Sequence, residues 1–267
     1  MRAVARRVLE RSPMLDGLFR RIVWSRVHYP ERELRLLEAM PGRQLDVAVD
    51  VGAALGSYAW VLNRKARTVF AFEPGAKHFA HLEAAARWSH VEIVRAALGA
   101  ETGTARLHTP GDSNEARHMA TLSEDNPVIR TAGTVSEVVP VYALDVFLQD
   151  RLGPGRRLDL LKIDVEGFEN SVLEGAEAVV SRDFPIIIAE IERRHNPAYR
   201  DFFDVLCGLG YRCKAFADGA YRPAGPERVA EQPEAERFAR GESLRGAGYV
   251  NNFVFQHQQS AVKVIAG

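Results

Sequence analysis

Residues 45–57 read LDVAVDVGAALGS, and this stretch decides the fold class. Its first half is an apolar run that predicts a β-strand at residues 46–51, and a helix is predicted from Ser57. Between them lies a turn whose glycines, Gly52 and Gly56, stand where the backbone must approach a ligand closely. A strand, a glycine turn and a helix in this order are typical of a nucleotide-type cofactor site in an α/β protein.

Strand-like apolar runs and helix-like segments alternate along the rest of the chain. Further strands are predicted at residues 68–73, 91–97, 158–164, 185–190, 211–217 and 249–257. Helices are predicted at residues 57–65, 76–87, 144–150, 170–181 and 197–209, the last with Asn196 as its N-cap. This alternation is typical of a parallel sheet with crossover helices, so we predict one α/β domain over residues 45–267. Two stretches interrupt it, residues 109–137 and 218–248, and are predicted to be insertions that cover the substrate.

Composition and charge exclude several functional classes. The chain of 267 residues is 46% hydrophobic and 26% charged, as ordinary globular proteins are. Its 35 basic and 35 acidic residues leave no net charge, which argues against a nucleic-acid partner. Two cysteines are too few for a disulfide framework, no apolar run is long enough to span a membrane, and no signal-peptide pattern opens the chain. We therefore expect a cytoplasmic protein.

The first part of the chain differs from the rest. Residues 1–44 contain ten Arg and no Lys against five acids, and apolar residues recur there at helical spacing. We predict a basic helical extension that packs on the domain or on a second subunit, which would make a homo-oligomer. The alternative is contact with an anionic membrane surface, where an arginine-rich amphipathic helix can lie.

Two acids accompany the glycine turn and separate two cofactor classes. Glu73 ends the next predicted strand, about 20 residues after the turn, where an acid can accept hydrogen bonds from both ribose hydroxyls. Asp50 ends the first strand, where its charge would repel a pyrophosphate but attract the cationic amino group of a methionine moiety. The three-glycine dinucleotide pattern is absent. S-adenosylmethionine is therefore favoured over NAD, and a role for both acids as mere caps of local backbone stays open.

A second motif, LLKIDVEGFE at residues 160–169, gathers three acids and a lysine at the end of one predicted strand. Lys162 and Asp164 share a face of that strand, because side chains two residues apart point to the same side. Charge in a buried strand must be paired or must serve a site. The motif therefore indicates either a functional group or a structural ion pair.

Taken together, the ordered motifs carry a family resemblance. They are residues 50–58 (DVGAALGSY), 70–74 (FAFEP), 162–169 (KIDVEGFE), 172–176 (VLEGA), 185–190 (PIIIAE) and 251–255 (NNFVF). This set, over about residues 45–257, resembles the FkbM-type family of S-adenosylmethionine-dependent methyltransferases. The chain departs from the family at Ala54, where Asn is typical, and at Gly75 and Ala76, where a second Pro is frequent.

The resemblance implies a class I methyltransferase fold of the Rossmann-like type. That fold is a doubly wound, mostly parallel sheet of seven strands whose last strand is antiparallel, to which the N-terminal extension is added. It also implies methyl transfer to a hydroxyl of a small molecule such as a sugar, glycolipid or polyketide. We assign S-adenosylmethionine binding to six residues: Asp50, Gly52, Gly56, Tyr58, Glu73 and Asp164.

Transfer to a hydroxyl requires a group that removes its proton. The candidates are Asp164 and Glu190, which end neighbouring predicted strands, and His195, which is predicted to titrate near neutral pH on a loop. His108 and His118 are secondary candidates. A metal that lowers the pKa of the hydroxyl is the alternative to a base, and the paired acids could hold Mg²⁺ through oxygen ligands. No metal site is predicted, because carboxylates without a fixed ligand spacing are a weak signal. An NAD-dependent oxidoreductase and an inactive methyltransferase-like binding domain remain the alternative functions.

Overall fold

The computed structural model describes residues 32–85, 89–109, 120–123, 133–232 and 249–264. The strands in these ranges are β1 (Leu45–Val51), β2 (Ala66–Phe72), β3 (Val91–Val94), β4 (Ala97–Leu98), β5 (Gly103–Thr109), β6 (Val135–Tyr142), β7 (Leu158–Ile163), β8 (Ile186–Glu190), β9 (Arg212–Ala217), β10 (Ala220–Pro223) and β11 (Asn252–Gln256). The helices are α1 (Arg32–Glu38), α2 (Ser57–Lys65), α3 (Ala76–Ala85), α4 (Leu144–Gln149), α5 (Glu169–Glu174), α6 (Glu177–Asp183), α7 (Tyr199–Gly208) and α8 (Pro226–Ala230).

The main sheet has the strand order β10-β9-β11-β8-β7-β1-β2-β3. Strands β3, β2, β1, β7 and β8 are parallel to one another, whereas β11 runs antiparallel to both β8 and β9. The predicted doubly wound sheet with an antiparallel last strand is confirmed. One strand exceeds the predicted seven, because the chain turns back after β9 and adds the short β10 at the edge.

The sheet is buried on both faces, and the sequence of β1 shows why. Val47, Val49 and Val51 pack into a core beneath α4 and α7, whereas Leu45 and Ala48 pack into a second core beneath α1 and α2. Alternate residues of a strand face opposite sides, so a strand covered by helices on both sides is apolar along its middle, and the two aspartates of β1, Asp46 and Asp50, lie near its two ends. The charged residue of this strand that the site uses therefore stands near its end.

The rings of three phenylalanines join α4 to the sheet. Phe147 of α4 packs edge to face against Phe70 and Phe72 of β2, with ring centroids 5.2 and 4.8 Å apart. Edge-to-face contacts of this kind add to the burial of the rings. They hold the end of β2, which carries Glu73, against the helix layer.

A second sheet, β4-β6-β5, was not predicted. Its strands flank the first predicted insertion, and most of that insertion, residues 110–119 and 124–132, lies outside the described residues. One face of the pair β5 and β6 is open to solvent, since Val138 and Pro140 and their cross-strand partners Arg106 and Thr104 are all exposed. The predicted second insertion contains β10 and α8, and its residues 233–248 are not described.

Two helix predictions are corrected. The helix predicted at residues 170–181 is divided into α5 and α6 at Gly175, where a Cβ atom would lie 2.0 Å from the carbonyl oxygen of Gly99. Asn196 is not the N-cap of the helix predicted at residues 197–209, because this helix, α7, begins at Tyr199 and has Ala198 as its N-cap. The Asn196 side chain instead donates to the carboxylate of Glu169 at 2.7 Å.

The described end of the predicted N-terminal extension packs on the domain. Leu34 and Leu37 of α1 are fully buried against α2 and the sheet. The ammonium of Lys65 donates to the carbonyl oxygens of Glu38 and Met40 at 2.7 and 2.6 Å, which ties the segment after α1 to α2. Residues 1–31, which hold the rest of the predicted extension, lie outside the described ranges. Among the helices that are described, none has the length and hydropathy to cross a bilayer.

Candidate functional site

A cavity of about 510 Å³ opens at the carboxyl ends of β1, β2 and β7. Its lining consists of residues 50–55, 57, 58, 72–74, 78, 96–98, 107, 120–122, 164–166, 168 and 190. Between β1 and β7 the chain order of the sheet reverses, because β2 and β3 continue to one side and β8 to the other. Ligands of open α/β sheets bind at such a reversal, and the cavity has the volume of a typical ligand pocket.

The predicted glycine turn borders this cavity. Gly52 has a φ of 77°, and Gly56 has a φ of 84° and precedes α2. A Cβ atom on Gly52 would lie 1.9 Å from the carbonyl oxygen of Asp164. Gly52 is therefore required by the close approach of the turn to the end of β7, in addition to any contact with a ligand.

Glu73 holds the glycine turn from the neighbouring strand. It is 5% exposed, and its two carboxylate oxygens accept hydrogen bonds from the backbone N–H groups of Ala54 and Gly75, each at 2.9 Å. Burial raises the pKa of Glu73 to about 7, and the two backbone hydrogen bonds oppose this shift. Each carboxylate oxygen has two lone pairs, so these bonds leave acceptor capacity for a ligand. The predicted backbone cap and the predicted ligand role are thus compatible in Glu73.

A buried lysine joins the two predicted motifs. Lys162 of β7 is fully buried, and it stands opposite Asp50 of β1 in the strand register. Its ammonium lies 3.3 Å from Asp164 Oδ2 and 4.9 Å from the ring centroid of Tyr58. Asp164 therefore forms the ion pair of the structural interpretation, and it also lines the cavity, as the functional interpretation requires. Asp50 and Tyr58 line the same cavity.

The structure brings the two predicted strand-end acids together. Asp164 follows β7 and Glu190 ends β8, and both line the cavity. Glu190 Oε1 accepts a hydrogen bond of 2.6 Å from the amide of Asn251, which stands just before β11. The antiparallel strand therefore orients the acid at the end of its neighbour.

His195 lies deeper than predicted. It is 5% exposed, its Nδ1 contacts Glu166 Oε2, and it is not among the residues that line the cavity. Burial lowers the pKa of His195 to about 4, so the expectation that it titrates near neutral pH is wrong. Of the secondary candidates, His108 contacts the hydroxyl of Ser136 at 2.8 Å, and His118 lies outside the described residues.

Two acids near His195 were missed by the site prediction. Glu192 is 8% exposed, accepts a hydrogen bond of 2.8 Å from the Tyr249 hydroxyl and is paired with Arg194. One ligand atom from each of Glu166, Glu192 and His195 lies within 4.8 Å of the others. Glu166 and Glu192 each stand two residues after a predicted strand-end acid. This repeated spacing in the sequence could have identified them.

A short part of the first predicted insertion contributes to the cavity. Ala120, Thr121 and Leu122 line it. The Thr121 backbone pairs with that of His108, and the Thr121 hydroxyl donates to the carbonyl oxygen of Glu166 at 2.6 Å. The described part of this insertion therefore lies where a substrate-covering segment was predicted.

Comparison with known proteins gives consistent results at the level of the family. The model of the methyltransferase FkbM domain matches residues 50–213. "Methyltransferase 1" of Beauveria bassiana (strain ARSEF 2860) is 30% identical over 144 residues, which cover 48% of this chain and 57% of that protein. The chain therefore matches little more than half of that relative's length.

Two solved structures are similar at lower sequence identity. The methyltransferase FkbM of Methylobacillus flagellatus KT aligns with a TM-score of 0.47 and 14% identity, over 82% of this chain and 45% of that one. The O-methyltransferase of Bacillus cereus in complex with SAH aligns with a TM-score of 0.44 and 14% identity, over 91% and 89% of the two chains.

Proposed function

The chain belongs to the FkbM family of methyltransferases, and from this premise we propose that it transfers a methyl group from S-adenosylmethionine to a hydroxyl of a small molecule. One observation carries the proposal. The cavity at the reversal of strand order is lined by five acids at or just after the carboxyl ends of adjacent strands: Asp50, Glu73, Asp164, Glu166 and Glu190.

The lining suits S-adenosylmethionine better than a dinucleotide. Glu73 keeps lone pairs that can accept hydrogen bonds from two ribose hydroxyls. Asp50 and Asp164 add negative charge near the glycine turn, which would attract a cationic amino group and repel a pyrophosphate. The bound cofactor would supply a methyl group on a positively charged sulfur. Because Asp50 and Asp164 would repel the pyrophosphate of NAD, they argue against an NAD-dependent oxidoreductase.

Glu190 is the best placed base for a hydroxyl acceptor. The acceptor oxygen loses its proton as it forms the new bond to carbon, so a base must lie within hydrogen-bond distance of that oxygen. Glu190 lines the cavity and is oriented by Asn251. Asp164 lines it too but is bound to the Lys162 ammonium. His195 does not line it, so we propose that His195 acts through Glu166.

The cavity also suggests the acceptor class. Apolar side chains, Leu107, Leu122 and Phe168, line it together with the acids. A molecule with hydroxyl groups and apolar surface, such as a polyketide, a glycolipid or a sugar derivative, would complement such a lining. We propose acceptors of this kind.

The test is a search for the methylated product. The protein is incubated with S-adenosylmethionine labelled with ¹³C in its methyl group and with a mixture of hydroxylated metabolites, and products are followed by mass spectrometry. We expect an acceptor that gains one labelled methyl ether, and we expect Glu190→Gln to lose the product while it still binds the cofactor. A label on nitrogen or carbon would contradict O-methylation, and cofactor binding without any product would favour an inactive binding domain.

A further inference from the structure

A group of three side chains beside the cavity has the composition of a metal site. Ligand atoms of Glu166, Glu192 and His195 lie within 4.8 Å of one another. Glu166 follows β7 and the other two follow β8, so two adjacent strands of the sheet supply them. The pair of His195 and Glu166 alone would be an ordinary hydrogen bond. Glu192, which is paired with Arg194 and accepts a hydrogen bond from Tyr249, adds a second carboxylate beside this pair, so the group offers three possible metal ligands.

The three side chains can act as ligands. His195 is buried beside the two carboxylates, and an imidazole nitrogen is a common metal ligand. Glu192 Oε1 accepts from the Tyr249 hydroxyl, and its Oε2 is paired with Arg194. Because each carboxylate oxygen has two lone pairs, Oε2 can still accept a further bond. Partners of this kind commonly orient the carboxylates and imidazoles that bind metals.

The backbone fixes the relative position of two of the ligands. The N–H groups of His195 and Asn196 both donate to the carbonyl oxygen of Glu192 at 3.0 Å. This turn brings His195 close to Glu192 in space. The Asn196 amide donates to buried Glu169 at 2.7 Å and anchors the turn to α5. The positions of Glu192 and His195 are therefore preformed.

We propose that Glu166, Glu192 and His195 bind a divalent transition-metal ion. One nitrogen and two carboxylate ligands suit ions such as Mn²⁺ and Zn²⁺, whereas Mg²⁺ and Ca²⁺ prefer oxygen ligands alone. Three protein ligands leave coordination positions open, as in catalytic metal sites. The ion would add to Arg194 in offsetting the repulsion between the two carboxylates.

The position of Glu166 suggests what the ion does. Glu166 lines the cavity, so an ion bound by Glu166 would lie beside the space that we assign to the acceptor. A hydroxyl bound to a divalent ion loses its proton more readily, and Glu190 could then accept that proton. This part of the inference rests on the proposed function. Metal binding itself does not, because it needs neither cofactor nor acceptor.

The test measures metal binding directly. The full chain is stripped with a chelator, and Mn²⁺ is titrated while electron paramagnetic resonance reports the free ion, with Zn²⁺ as a competitor. We expect one Mn²⁺ per chain, displaced by Zn²⁺, and binding at least tenfold weaker in His195→Ala and Glu192→Gln. Glu177→Gln on α6 and His81→Ala on α3 are the matched controls and should bind as the wild type does.

Folding is checked by circular dichroism for every variant. If His195→Ala or Glu192→Gln unfolds, Glu166→Gln takes its place, because Glu166 is only half-buried. The absence of Mn²⁺ and Zn²⁺ binding, or equal affinity in the wild type and the site variants, would overturn the proposal. Failure of the metal site and failure of the proposed function give different results. Metal bound at these residues without methyl transfer would contradict O-methylation alone. Methyl transfer that persists without metal binding would contradict the metal site alone.

Discussion

Glu73 shows how one residue can serve both the fold and the ligand. Its carboxylate accepts from two backbone N–H groups and is buried, and this burial raises its pKa to about 7. Ribose hydroxyls would donate to the ionised form, so ligand binding should release the proton from Glu73. Affinity should then rise with pH below 7 and become constant above it.

Adenosine is the probe for this pH dependence, because it has the ribose hydroxyls but no group that titrates near neutral pH. We expect its affinity to rise several-fold between about pH 5.5 and 7.5 in calorimetric titration. Asp164 and Glu137 add to the raised pKa of Glu73, and His78 Nδ1 lies 3.9 Å from its Oε1. His78→Gln is therefore the control. A pH dependence that disappears in His78→Gln but persists in Glu73→Gln would assign it to the histidine.

The two strand-end acids should differ in their effects on kinetics. Glu190→Gln should lower kcat for methyl transfer by about a hundredfold and leave cofactor affinity nearly unchanged, since the base acts on the acceptor. Asp164→Asn should lower the rate and also weaken cofactor binding, because it disturbs the ion pair with Lys162 beside the glycine turn. Single-turnover rates and calorimetry separate the two effects. Equal loss of cofactor affinity in both variants would contradict this division of roles.

Strand-end residues could be predicted from the sequence, but the environment of His195 could not. Asp50, Glu73, Asp164 and Glu190 are each adjacent to an apolar run, so topology alone brings them to one edge. The burial of His195 depends instead on the turn from Glu192 and on contacts with Glu166, which comes from another strand. Sequence spacing carries no information about that contact, and the predicted pKa was therefore wrong.

At the scale of elements, the glycine turn is constrained by its neighbour strand. Gly52→Ala would place a Cβ atom 1.9 Å from the backbone oxygen of Asp164, and backbone on both sides must move. We expect a loss of about 2–4 kcal/mol in the free energy of unfolding, measured by urea denaturation. Gly103→Ala in β5 is the matched control, since a Cβ atom there meets nothing within 4 Å. A Gly52→Ala protein as stable as the control would refute the close approach.

The elements also differ in how well the sequence predicts them. Helix α2 was predicted with its observed bounds, since an apolar strand and a glycine turn precede it. Strands β5 and β6 were missed, because one face of this pair is exposed and their polar residues resemble a loop. The division between α5 and α6 was missed too, since it results from the contact of Gly175 with Gly99, 76 positions apart in the chain by their residue numbers. Non-local contacts account for these failures.

At the scale of the whole molecule, α1 closes one face of the sheet. Leu37→Ala removes a fully buried side chain from the core shared by α1, α2 and β1. We expect a loss of about 2–4 kcal/mol in the free energy of unfolding. Val205→Ala, at a position that is 49% exposed, is the control and should change stability by less than about 0.5 kcal/mol. If Leu37→Ala lowered the free energy of unfolding no more than Val205→Ala does, α1 would not contribute to the core.

The central claim is that the cavity beside the glycine turn binds S-adenosylmethionine through Glu73. Calorimetric titration with S-adenosylhomocysteine, and separately with NAD, tests it most directly. We predict that S-adenosylhomocysteine binds one to one and that NAD does not bind. Glu73→Ala should weaken S-adenosylhomocysteine binding by about 1.5–3 kcal/mol, because charge-assisted hydrogen bonds to the ribose are lost. Binding of NAD in place of S-adenosylhomocysteine, or equal affinity in the wild type and Glu73→Ala, would contradict the claim.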